Sequence, residues 1–283
     1  YCTGQTMPNS ETVFTIVTFV YGLAFILYVA AWIFKKSLPG KTATGVLIAA
    51  AAGNAAGFVL RWAESHQMGY GYVPLSNLYE SLVFFALCIA VIYLVVEYRY
   101  KVRTIGVFAS IVPFLAMAYA SLPSVDSQIQ PLIPALQSNW LIAHVITCFL
   151  GYAAFAIACG ISIMYLIKSA SASPDTGTVG RFPDAETMDE LTHQMIAFGF
   201  LFLSVGIITG AIWADQAWGR YWGWDPKETW SLITWLIYAT LLHARFMRGW
   251  EGRRIAYLSC LGFVAVLFTY FGVNLLPGLH SYQ

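Results

Sequence analysis

The chain has 283 residues, of which 59% are hydrophobic and 10% charged, with a formal net charge of +1. Soluble domains carry about a quarter charged residues, so the composition excludes an ordinary water-soluble fold, and no nucleic-acid partner is expected. The net charge says nothing more of partners, but the placement of the charges does.

A membrane-spanning helix needs about 20 mostly apolar residues. Eight such runs follow one another: Thr12–Phe34, Gly45–Trp62, Leu78–Glu97, Ile105–Ser121, Leu141–Ile167, Met195–Trp213, Trp230–Met247 and Ile255–Leu275. They predict an all-α integral membrane protein, a polytopic bundle of about eight transmembrane helices forming a single membrane domain over residues 1–283. If the first run enters from outside, the inner loops hold Lys35, Lys36, Lys41, Arg99, Lys101, Arg103, Lys168, Arg181, Arg245, Arg248, Arg253 and Arg254. Arg61, Arg220 and Lys227 remain outside. That is the bias of the positive-inside rule, and it faces both termini outward. The chain begins with Tyr1 rather than Met, and no leader with a basic first segment and cleavage site is visible, which leaves N-terminal processing open.

In chain order, Asn54 beside Gly53 in the second run reads as an interhelical hydrogen bond, and Gly53 with Gly57 as close helix packing. Asn77 and Glu80, in Pro74-Leu-Ser-Asn-Leu-Tyr-Glu, read as a capping box opening the third helix. Asn139 is a plausible N-cap of the fifth helix, and His144 lies near that outer mouth. The inner loop, about residues 168–190, is rich in Ser, Pro, Gly and Thr around 169–184 and reads as a flexible cytoplasmic connector without chemistry. Thr187 and Glu190 have the spacing of a capping box for the sixth helix. In that helix, Gly206 and Gly210 repeat the small-residue spacing. The five cysteines, Cys2, Cys88, Cys148, Cys159 and Cys260, show no Cys-x-x-Cys spacing and read as small buried residues rather than a thiol-disulfide centre.

The outer segment between the sixth and seventh helices, about residues 213–230, packs Trp213, Trp218, Trp222, Trp224, Trp230 and Tyr221 into eighteen positions. An interfacial belt scatters its indoles over many helix ends, whereas these are concentrated in one place. A platform of this kind suits a flat, apolar, π-rich ligand. Arg220 and Lys227 could pair with carboxylates on it. Asp225 as N-cap, Pro226 at the first helical position and Glu228 three residues after the cap also make a good helix start, so the two acids have a purely architectural reading. Of five histidines, His144 and His280 sit at the outer ends of the fifth and eighth helices, on either side in sequence of the pair that carries the platform, where two imidazoles could ligate one iron from opposite faces. Each taken singly reads as an ordinary interfacial residue.

The run Trp218-Gly-Arg-Tyr-Trp-Gly-Trp-Asp-Pro-Lys-Glu-Thr-Trp230 resembles the tryptophan-rich WWD signature of haem-handling proteins, and its Lys-Glu-Thr-Trp ending is similar to the CcsA (ResC) branch. Pro74-Leu-Ser-Asn-Leu-Tyr-Glu-Ser81, Leu242-His-Ala-Arg245, Phe268–Leu276 and Gly278-Leu-His-Ser-Tyr282 extend the likeness. The resemblance implies system II cytochrome c biogenesis. In that pathway a cytochrome c synthase, working with a CcsB (ResB) partner, presents haem b outside and joins its vinyl groups to apocytochrome Cys-x-x-Cys-His thiols. By position it implies that His144 and His280 are the external haem ligands, and that His243 is an intramembrane histidine of a second haem site. The cofactor-binding set is then Trp218, Arg220, Tyr221, Trp222, Trp224, Asp225, Lys227 and His243. His66 and His193 match no ligand and read as surface residues.

The alternatives are a system I haem-handling protein of the CcmC or CcmF kind, and a non-haem membrane transporter in which Asn54 and His243 line a path. The expected location is the bacterial cytoplasmic membrane, or the thylakoid if the gene is plastid-borne, with the WWD segment outside.

Overall fold

The computed structural model describes residues 9–34, 37–172 and 175–275. Among them are eight α-helices: α1 (Ser10–Phe34), α2 (Ser37–Gln67), α3 (Leu78–Tyr100), α4 (Gly106–Ala120), α5 (Asn139–Ala170), α6 (Ala185–Trp218), α7 (Pro226–Arg248) and α8 (Arg253–Tyr270). Each coincides with one of the eight apolar runs. Seven are long and apolar enough to cross a membrane, so the protein is a polytopic helical membrane protein. The exception is α7. Its 23 residues reach about 34 Å, enough for a core roughly 30 Å thick, but Trp230, Trp235, Tyr238, Thr240 and His243 make it less apolar than its neighbours. At the other extreme α6 has 34 residues. That is about 51 Å, so it projects beyond the hydrocarbon at its ends.

The chain divides into two compact units, Tyr1–Ile133 and Pro134–Gln283. In the first, α1 packs against α2 and α4, and α3 against α2 and α4. Polar groups inside it are tied in small networks. Arg61, 2% exposed, pairs with Glu80, 1% exposed, at 2.8 Å, and its Nη2 donates to the Ser127 oxygen at 2.8 Å. Arg61 is thus a buried helix residue rather than an outer-loop charge, because α2 runs beyond it to Gln67. This arrangement changes the expected cap of α3. The Asn77 side chain accepts from the Glu80 amide at 2.9 Å, but the Glu80 carboxylate turns to Arg61 and to the amide and hydroxyl of Ser76. The reciprocal half of the capping box is given up to satisfy a buried cation. Elsewhere, Glu97 accepts from Tyr28 at 2.6 Å, Tyr93 at 2.8 Å and Arg103 at 3.1 Å. Asn54, fully buried, donates to Tyr21 and to the Val83 oxygen, the interhelical role expected of it.

In the second unit α5 packs along α6 and α8, and α7 lies against α6 and α8. Two helix starts differ from expectation by one and three residues. Ser138, not Asn139, caps α5, accepting from the Trp140 amide. Asp184, not Thr187, caps α6, accepting from the Thr187 amide at 2.6 Å. The hydroxyl and amide of Thr187 hold the Asp184 carboxyl below the ordinary carboxylate range. The connector before α6 is therefore shorter than the sequence suggested.

Candidate functional site

The α5–α6 seam is closed by glycines. An ideal Cβ on Gly151 would stand 3.0 Å from the Gly199 oxygen, and one on Gly206 would stand 2.6 Å from Cys148 Sγ. At the mouth of the seam, a Cβ on Gly210 would stand 2.5 Å from His144 Nδ1 and 2.7 Å from Cε1. The missing side chains of α6 are the space into which Cys148 and His144 of α5 fit. There the His144 Nδ1 lies 2.7 Å from the Gly206 oxygen. A carbonyl only accepts, so Nδ1 carries the proton and the ring lone pair resides on Nε2. The Trp213 ring stacks beside the imidazole, centroids 6.1 Å apart and planes 17° apart. Its indole N–H donates to the Ala135 oxygen at 2.8 Å. Trp218 meets Trp213 edge-on at 4.9 Å.

From Trp218 the chain turns at Gly219 (φ 73°), a left-handed C-cap whose N–H returns to the Asp215 oxygen, the conformation that favours glycine. Six residues later α7 begins on the predicted signals. Asp225 accepts from the Lys227 amide at 3.1 Å, Pro226 fills the first position, and Glu228 completes a capping box. Glu228 does more than the sequence indicated: its Oε2 accepts from the amides of both Asp225, at 3.1 Å, and Gly223, at 2.7 Å. These amides flank Trp224, which is held at φ 56°, a left-handed conformation costly for a bulky side chain. Trp224 is consequently 69% exposed and Tyr221 61%, while Trp222 meets Trp224 at right angles, centroids 5.8 Å apart. The Trp222 indole nitrogen is buried without a hydrogen-bond partner among the described residues. Arg220 is exposed and lies over Gly223, where a Cβ would come within 2.7 Å of its Nε. Trp230 packs on Phe268 of α8 at 4.1 Å.

Of the residues singled out in the sequence, the structure thus brings His144 together with Trp213 and Trp218, and gathers Arg220, Tyr221, Trp222, Trp224, Asp225 and Lys227 in the turn that enters α7. His280 lies outside the described residues, as does Cys2. His243 is on the exposed side of α7 in line with Leu236, Thr240 and Met247, seventeen residues from Pro226 and so about 25 Å along the helix. His66, exposed, bonds the Trp62 oxygen of its own helix, and His193 meets Phe246 edge-on. Sequence reasoning did not single out Gly206, Gly210 and Glu228 as site residues. Their signals were present in the four-residue glycine spacing and in an acid three residues after a cap, but each had a sufficient architectural explanation.

Comparison with known proteins adds the family. Residues 75–280 match the family model described as cytochrome C assembly protein. The chain is 44% identical over 244 residues to the cytochrome c biogenesis protein CcsA of Guillardia theta, covering 78% of this chain and 79% of that one. It is 40% identical to CcsA of Microcystis aeruginosa, covering 87% and 88%. With CcsA of Trieres chinensis it shares 37% identity over 97% and 96%. Among solved structures, the Cytochrome c Heme Lyase CcmF has the same fold at a TM-score of 0.75 and 17% identity; 96% of this chain aligns, spanning about half (48%) of CcmF. On the strength of the tryptophan segment, the histidine seated beside it and these matches, the chain belongs to the cytochrome C assembly protein family.

Proposed function

We propose that, within cytochrome c maturation, this chain holds haem b as its substrate at the outer face of the membrane. In this reading His144 and His280 are the iron ligands, and Trp218, Tyr221, Trp222 and Trp224 are the surface on which the porphyrin rests. The observation that carries the reading is the hydrogen bond from His144 Nδ1 to the Gly206 oxygen. It fixes the tautomer whose Nε2 keeps its lone pair for a metal, as a carbonyl on the other ring nitrogen commonly does where imidazoles hold metals. Exposed indole and phenol faces at Trp224 and Tyr221, and an indole N–H on Trp222 that lacks a described partner, fit a large flat ligand with polar edges. Arg220 and Lys227 supply charge for its propionates. Asp225 and Glu228 act through the turn they hold.

The substrate's vinyl groups supply the electrophile to which the thiols of an apocytochrome Cys-x-x-Cys-His motif add. The chain's own residues orient the porphyrin, hold its iron and exclude water from its face. We assign this ligation step, of the cytochrome c synthase type, to a complex with a CcsB-like partner. The exposed imidazole of His243 supports such a partner, since an ionisable residue on the lipid side of a helix is costly unless covered. An iron held by His144 and His280 cannot also reach His243, because Fe–N bonds are about 2 Å long, like other metal–imidazole bonds. His243 then serves another site or none, and the family resemblance favours a second, inner haem position for it. The algal and cyanobacterial relatives favour a thylakoid or bacterial cytoplasmic membrane.

The test is the haem content of the full chain purified with its partner, together with the yield of holocytochrome c. Trp222→Ala and Trp224→Ala should lower both while the protein remains in the membrane. Unchanged haem content in the double variant would overturn the platform.

A further inference from the structure

We infer that Thr209 is a positioning residue that sets how easily the bound haem is kept ferrous: by sharing the Gly206 carbonyl with His144, it holds the imidazole as a neutral, weakly donating iron ligand. The inference rests on the proposed ligation of iron by His144 and concerns the strength of that ligand.

Several donors converge on one backbone oxygen. Gly206 lies inside α6, where a carbonyl takes the amide four residues on, here that of Gly210. His144 Nδ1–H reaches the same oxygen from α5 at 2.7 Å. The Thr209 hydroxyl divides its proton between this oxygen, at 3.1 Å, and that of Val205, at 2.9 Å. A carbonyl oxygen has two lone pairs, so the hydroxyl draws on density that would otherwise serve the amide and the imidazole. The branch to Val205 is the ordinary habit of a threonine in a helix, which turns its hydroxyl back four residues. The branch to Gly206 differs in consequence, because a second helix claims that carbonyl. Thr209 is buried, which keeps its hydroxyl from being drawn away by water. The imidazole is held at the same oxygen by packing: a Cβ on Gly210 would stand 2.5 Å from Nδ1, and the Trp213 ring lies along the other side.

The acceptor on Nδ1–H controls what Nε2 gives to iron. A stronger acceptor moves the ring toward an imidazolate and raises its basicity. That favours ferric over ferrous iron and lowers the reduction potential, for which hydrogen bonding behind the axial ligand is one of the protein's levers. A carboxylate would push furthest in this direction. Here Nδ1 meets two neutral groups, the shared carbonyl and Cys148 Sγ, a weak acceptor 3.6 Å away. The ferrous state is the one favoured. Apocytochrome thiols beside ferrous iron lose no electron to it and stay reduced for addition to the vinyl groups.

The experiment measures the midpoint potential of haem on the full chain purified with its partner, by dithionite titration. Resonance Raman of the ferrous form in a His280→Gly background, where His144 is the ligand left, gives the iron–imidazole stretch. Thr209→Val keeps the side chain's shape and removes the competing donor. It should raise the ferric-to-ferrous ratio at a fixed poise about threefold. That ratio is a potential about 28 mV lower, at roughly 59 mV per tenfold for one electron, and the stretching frequency should rise with it. Thr209→Ala should move both readouts the same way, and carries the test if the valine variant folds poorly. Thr209→Ser, which restores the hydroxyl, should match wild type. A residue that only filled the seam would give the opposite ranking, with valine like wild type and serine like alanine, and that result would overturn the inference. His144→Gly separates the two levels. If it changes the spin state while Thr209→Val leaves potential and stretch unmoved, the inference fails and the ligand reading stands; if it changes nothing, both fail.

Discussion

His144 of α5 donates its Nδ1 proton to the backbone oxygen of Gly206 on α6 across 2.7 Å. The bond is reachable because Gly210, one turn further on, has no side chain to occupy the ring's position. Gly210→Ala should therefore displace the imidazole and lower haem retention severalfold. Gly199→Ala, which meets Phe155 lower in the same seam, should cost about as much stability, on the order of 1–3 kcal/mol for an overpacked contact, and spare haem. Haem content per protein after purification, set beside melting temperature in detergent, separates the two effects.

Glu228 and Trp224 make a second coupled pair. The carboxylate gathers the amides on either side of the indole and holds it at φ 56°. Left-handed backbone costs a non-glycine residue roughly 1–2 kcal/mol, so Trp224→Gly should leave stability equal or raise it by up to about 1 kcal/mol while lowering haem retention. Opposite signs in the two readouts mark strain kept for function. Glu228→Ala should lower both, because two loop amides lose their acceptor at a cost of about 1–2 kcal/mol. Parallel loss of stability and haem in Trp224→Gly would contradict a functional origin for the strain.

Arg61 and Glu80 predict a stability pattern remote from the platform. Removing one partner of a buried ion pair leaves an uncompensated charge and costs about 3–5 kcal/mol. Arg61→Met and Glu80→Leu should each lower the melting temperature strongly, and the double variant Arg61→Met with Glu80→Leu should recover part of the loss. Additive losses in the double-mutant cycle would show that the two side chains are not coupled.

The parts of this protein that could be read from the sequence are those governed by local rules. Eight apolar runs gave eight helices, because a bilayer leaves the backbone few other ways to satisfy its hydrogen bonds. Asp225-Pro226 with Glu228 was legible as the start of α7 for the same local reason. The contacts that give the site its shape are not local. Glu80 could cap α3 by its spacing, but a cation nineteen residues away in the chain claims its carboxylate. Gly206 and Gly210 showed that something packs closely, and only the fold reveals that it is Cys148 and His144.

Ligation of haem iron by His144 would show in the spectrum of the bound haem. The most direct measurement is the optical and resonance Raman spectrum of reduced haem on the purified full chain, wild type against His144→Gly, each with and without added imidazole. Wild type should give a six-coordinate low-spin bis-histidine spectrum and His144→Gly a five-coordinate spectrum with lowered haem content, and the low-spin spectrum should return when imidazole fills the cavity. A low-spin spectrum of undiminished intensity in His144→Gly without imidazole would contradict it.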